Sequence, residues 1–160
     1  MEQQSLLGRR TSSLRTRLAG FELPAYTLLR IAFGLILLTH GLPKALGESH
    51  GSMGDPMAAS INLIQNVLGL PFAPQLAWLV MLLETVGAIV LALGFYTRAV
   101  ALLFCAEMVV ISVALGPTWP WIDRGIEYPV LMGFLSLYIF FRGGGAYSVD
   151  GRFWRQREKP

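Results

Sequence analysis

The stretch LAWLVMLLETVGAIVLALG, residues 76–94, constrains this chain more than any other. It is apolar on every face and carries one charge, Glu84, near its middle. As a helix it rises roughly 28 Å, close to the ~30 Å hydrocarbon core of a bilayer. A water-soluble helix of that length shows a polar face, and this one has none. It reads as a membrane span with a carboxylate near the midplane. The balance of the chain agrees. Of its 160 residues 54% are hydrophobic and 14% charged, against about 25% charged in an ordinary soluble domain.

Three further apolar runs follow the same logic. The expected spans are residues 25–42, 75–95, 97–115 and 126–141. Together they form an all-α polytopic membrane domain, a four-helix bundle over residues 23–145. Pro24 suits the start of the first span. The link GFYTR between the second and third spans permits only a tight antiparallel return, so those two spans are expected to pack as neighbours. Residues 57–68 of the intervening loop carry apolar residues at helical spacing. They read as a short helix, with a membrane-surface helix and a lid over the bundle as open alternatives. Residues 1–22 read as a basic tail, retained and not cleaved as a signal, and residues 146–160 as a second basic tail.

Orientation follows from positive charge. Arg9, Arg10, Arg15 and Arg17 precede the first span, Arg98 lies between the second and third, and Arg142, Arg152, Arg155, Arg157 and Lys159 follow the fourth. Lys44 and Arg124 in the other two loops are outnumbered by Glu48, Asp55, Asp123 and Glu127. Four spans with both termini cytosolic satisfy this bias throughout.

Ionisable groups inside a membrane are costly and mark sites. Arg at a helix centre costs about 2.5–3.5 kcal/mol on insertion scales. From the rise of a helix, Arg30 sits roughly 8 Å from the cytosolic boundary, and Glu84 and Glu107 roughly 15 Å. Arg30, Glu84 and Glu107 are therefore expected to converge as one buried cluster. His40, Lys44 and Glu127 form a second group nearer the outer face. One reading makes the cluster interhelical glue; the other makes it a proton-handling or ligand-binding site. Both stay open at this level. The single cysteine, Cys105, excludes an intrachain disulfide. No CxxCH, P-loop or dinucleotide fingerprint occurs. His40 and His50 are the only histidines, too few inside the membrane for paired axial haem ligands, and no metal cluster is expected. GGGAYSVDG reads as a turn that fixes the chain's exit from the last span.

The chain resembles the DoxX family of small bacterial membrane proteins. The resemblance rests on LLRIAFGLILLTHGLPKALG with Arg30, His40, Gly41 and Lys44, on LLETVGAIVLALGFYTRAVAL with Glu84, Gly94 and Arg98, on Glu127, and on GGGAYSVDG with Gly145, Ser148 and Asp150. It extends over about residues 25–151. The resemblance implies a four-helix membrane bundle. It also implies a link to thiosulfate:quinone oxidoreductase, as a subunit, and to membrane complexes concerned with thiol and oxidative stress. Gly41, Gly94, Arg98, Gly145, Ser148 and Asp150 take structural roles under it. The expected function is a non-haem subunit of a membrane redox complex holding a quinone beside Glu84, with Arg30 and His40 as hydrogen-bond partners. A carrier for a hydrophobic small molecule or lipid, and a structural assembly partner, are the alternatives. The expected partners are the lipid bilayer, membrane or cytosolic redox proteins and a second copy of the chain, with no nucleic acid.

Overall fold

The computed structural model describes residues 2–157, with side chains described for residues 18–120 and 122–153. The described chain is helical, with no strand beyond one isolated bridge between His50 and Met53. The first helix, α1, runs Glu2–Leu46. α2 is Pro56–Asn62 and continues as a π-helical turn, Leu63–Val67. α3 (Ala73–Leu82), a second π turn (Leu83–Gly87) and α4 (Ala88–Leu93) form one rod. α5 is Thr97–Leu115, α6 Glu127–Arg142 and α7 Val149–Arg157.

Three helical segments are long and apolar enough to cross a membrane: Leu18–Leu46, Ala73–Leu93 and Thr97–Leu115. The outward side chains agree with that reading. Leu28, Leu35, Leu79, Val86, Leu103, Val109 and Val113 are all more than half exposed. A soluble monomer rarely leaves so continuous an apolar band in water; hydrocarbon solvates it at no cost.

α1 corrects the expected boundary at Pro24. Pro24 and Pro43 both lie inside the helix, so the helix does not begin at Pro24 and its backbone runs on unbroken from the N-terminal segment. Each proline removes one backbone bond. In hydrocarbon the remaining backbone groups have no partner but the helix itself, which keeps it continuous. The basic side chains of residues 2–17 lie outside the described residues. The second correction falls at the other end. Residues 146–160 are not merely a tail: Ser148 is buried, and α7 begins one residue later.

One core is shared by α1, α4, α5 and α6. Tyr26, Phe33 and Leu37 meet Ala88 and Leu91, then Ala101, Phe104 and Met108, then Met132 and Ile139. Phe33 and Phe104 meet edge to face with centroids 5.8 Å apart. Lipid tails are as apolar as these side chains, so close packing and polar bonds must hold such helices together, not exclusion from water. Small residues on α1 allow that approach. A Cβ on Gly34 would stand 2.6 Å from the Ala88 carbonyl oxygen and 2.9 Å from the Ala92 Cβ. α6 packs along α5.

Residues 57–68 are helical as expected. Asp55 caps α2 by accepting from the Ala58 N–H at 2.8 Å, and Pro56 occupies the first turn. Ile64 packs with Ala73 and Ala77, flanked by Met57, Ile61 and Leu76. The segment is thus clamped to the start of α3.

Candidate functional site: a lysine and two buried carboxyl groups

Gly41 determines where the site forms. A Cβ there would lie 2.6 Å from the Glu84 carbonyl carbon and 2.7 Å from the Glu84 Cβ. Only a glycine lets α1 rest directly on the backbone of Glu84. Glu84 itself belongs to the π turn Leu83–Gly87, and its side chain is buried. Single π turns inside α-helices recur at functional sites, because the extra residue re-aims the side chains around it.

The next turn of α1 brings Lys44 over Glu84. Its Nζ donates to Glu84 Oε2 at 2.5 Å, with the two side chains 11% and 5% exposed. Glu107 arrives from α5, also buried. Its carboxyl group lies near enough to that of Glu84 for the two to act on each other. Neither Glu107 oxygen receives an N–H or O–H from any described residue. A hydrogen bond between two carboxyl groups needs a proton on one of them, and only such a bond would give Glu107 a donor among the described residues.

Imidazoles stand on the loop side of this triad. His40 lies four residues before Lys44, hence on the same helix face. Its ring is 4.9 Å from that of His50 and 6.3 Å from that of Tyr128 at the start of α6. His50 is held by paired backbone bonds with Met53, at 2.9 and 3.0 Å. Arg124 donates to Ser52 Oγ at 2.9 Å, tying this loop to the one before α6. Glu127 opens α6 beside Tyr128, its own N–H donating to the Trp119 carbonyl at 3.1 Å.

Arg30 stands apart from the two carboxyl groups. It is buried, 1% exposed, but Nη1 donates to the Leu91 and Ala92 carbonyls at 2.7 and 2.9 Å, and Nη2 to the Tyr147 carbonyl at 3.0 Å. The guanidinium caps the carboxyl end of α4, where carbonyls lack intrahelical partners and cations are favoured. Leu91 lies two turns beyond Glu84, about 10 Å along the rod. The convergence of Arg30 with Glu84 and Glu107 is therefore corrected: Lys44, from the other expected group, takes that place.

Around Arg30 the closing turn is knotted to three helices. Gly94 has φ +72°, and a Cβ there would strike the Arg30 guanidinium. Asp150 accepts from the Tyr96 N–H (2.9 Å), the Thr97 N–H (2.9 Å) and the Thr97 hydroxyl (2.7 Å). It supplies the N-terminal cap of α5, for which Tyr96 itself offers no side-chain bond. Ser148 Oγ donates to the Gly145 carbonyl at 2.6 Å and accepts from the Gly151 N–H at 2.9 Å. Tyr26 donates to the Gly143 carbonyl. Gly145 has φ +75° and lies against the Tyr26 ring. Arg98 is exposed beside Gly143.

Sequence reasoning passed over Gly34, Thr97 and His50. Gly34 had a legible signal, since it stands one heptad before Gly41 and faces Ala88 and Ala92, spaced four apart. Thr97 and His50 had none, because each matters through a partner distant in the chain.

The fold and this buried site define an all-helical membrane protein with ionisable groups enclosed among its helices. The DoxX family model matches residues 25–116, more than half of the chain, and the protein belongs to the DoxX family. That match carries Arg30, His40, Lys44, Glu84 and Glu107; Glu127 and the closing turn with Asp150 lie beyond it. The chain is also 29% identical over 139 residues to an uncharacterized protein of Haemophilus influenzae, covering 80% of this chain and 90% of that one. No solved structure matches.

Proposed function

We propose that the protein is a multi-pass plasma-membrane protein whose Glu84–Glu107 pair carries an exchangeable proton for a quinone- or thiol-linked redox complex. In this reading it is a non-haem subunit. α6 makes a fourth crossing, with both tails cytosolic. Leu131, Phe134 and Phe141 on α6 are exposed and apolar, as a lipid-facing side requires. Its 16 residues rise about 24 Å, short of the full hydrocarbon thickness but within reach of a locally thinned bilayer.

One observation carries the reading: two buried carboxyl groups lie close enough to act on each other, and the Lys44 amine is bonded to one of them, Glu84. Two carboxylates and one ammonium would leave a net charge in a low-dielectric interior, which is costly. One shared proton makes the triad neutral and gives Glu107 its donor. A quinone accepts protons with its electrons, so a carboxyl group that already holds one beside an amine suits that partner. Neither Glu84 nor Glu107 transfers electrons; the redox centre belongs to the partner.

The test uses the full chain in lipid nanodiscs with a short-chain ubiquinone as probe. The infrared spectrum of the wild type is expected to contain a protonated-carboxyl C=O band. Glu107→Gln should remove it, and adding the ubiquinone should shift it. No band in the wild type, or a band that survives in Glu107→Gln, refutes the proton-bearing pair. A band indifferent to the ubiquinone refutes the quinone link.

A further inference from the structure

The two ends of the helix assembly are built differently. At the end where α7 docks, Arg30 is fastened to three carbonyls and Asp150 clamps the first turn of α5. Between Arg30 and Lys44 lie about 21 Å of α1. That interval is filled by Phe33, Leu37, Leu91 and Phe104, none more than 2% exposed. The hydroxyl buried in that core, Ser136, is tied to its own helix by donating to the Met132 carbonyl at 2.5 Å. At the opposite, loop end the carboxyl pair is shallow. Lys44 sits in the last turn of α1 and keeps 11% exposure. His40 and His50 are both half-buried and in ring contact.

Every packed element contributes to the surroundings of the pair. α1 supplies His40 and Lys44, the α3–α4 rod Glu84, α5 Glu107, α6 Tyr128, and the loop His50. His50 also lies near enough to Glu84 for its charge to act on that carboxyl group.

We propose that the Glu84–Glu107 proton exchanges only with the compartment at the loop end, relayed by His50 and His40, while the α7 end is closed. This rests on the proton-bearing reading of the pair. A neutral imidazole binds a proton at one nitrogen and releases one from the other, so each passage returns it to neutrality. His50 takes the proton from the loop-side water and exchanges it with His40, and the imidazoles hand it to the deprotonated carboxyl pair, whose Glu84 lies within reach of the His50 charge. No electron moves and nothing is consumed.

The experiment uses the full-length protein, tagged at the C-terminus, in phosphatidylcholine vesicles. Immobilised tag-binding resin sorts them into vesicles with α7 outside and vesicles with the loops outside. The external pH is then jumped and the protonated-carboxyl band followed in time. Loop-out vesicles are expected to respond at once; α7-out vesicles respond only after a proton ionophore is added. His50→Ala and His40→Gln should each slow the loop-out response by about tenfold or more, with melting temperatures near wild type. Equal rates in the two vesicle populations overturn the proposal without the use of any variant. Unchanged rates in both histidine variants remove the relay. A protein with no such band fails at the earlier reading of the pair, not at this one.

Discussion

Removing Lys44 tests the site most directly. In Lys44→Met the methionine fills nearly the same volume, but Glu84, 5% exposed and 2.5 Å from the lost Nζ, is left without its cation. Taking one partner from a buried ion pair costs about 3–5 kcal/mol. The lower half of that range applies here, because the carboxyl group can recover part of the loss by binding a second proton. Glu84→Gln should cost less, about 1–2 kcal/mol, since Lys44 stands at the helix end and can swing its amine outward. The double variant Lys44→Met, Glu84→Gln removes the charge and its need together. It should be no worse than Lys44→Met alone, giving a coupling energy of about 1–2 kcal/mol or more. Equilibrium unfolding in mixed micelles, followed by circular dichroism, measures all four corners of the cycle. Single costs that add to within about 0.5 kcal/mol would show that the two side chains do not depend on each other, and the buried-triad account would fall.

The remaining expectations concern the devices that hold the helices in place. Asp150→Ala strips the cap of α5 of three donors' acceptor and should cost about 2–3 kcal/mol. Its readouts are a lower melting temperature and faster hydrogen exchange in the first turn of α5; protection as in the wild type there would refute the cap. Gly41→Ala forces a Cβ into the Glu84 backbone and should cost about 1–3 kcal/mol by overpacking. Gly20→Ala meets nothing within 4 Å and should be neutral or stabilising by up to about 1 kcal/mol. Equal melting temperatures for those two alanine variants would refute the close seating of α1 on the Glu84 backbone.

Helical class, the apolar runs long enough to span and the ionisable groups inside them were legible along the chain. Continuous apolar runs of bilayer length admit few other solutions, and the third run, residues 97–115, coincides with α5. The helix at 57–68 and the tight return after Gly94 were legible for the same kind of local reason, capping and turn chemistry. Pro24 misled because a proline that opens a helix and one tolerated inside a membrane helix look alike along the chain.

Which ionisable groups meet was decided only in three dimensions. Arg30 and Lys44 lie about 21 Å apart along the same helix, and each has a side chain long enough to reach up or down. Depth along one helix says nothing about its axial offset from the next. That offset comes from Gly34 and Gly41 seating α1 on Ala88 and Glu84, and from the π turn that rotates Glu84 toward Lys44. Arg30 is drawn away by the open carbonyls at the end of α4, which exist only because Gly94 stops that helix beside it. The sequence by itself therefore determined that charge would be buried. Only the packing of helix on helix decided that a lysine would sit with the two carboxyl groups and the arginine would hold the far end.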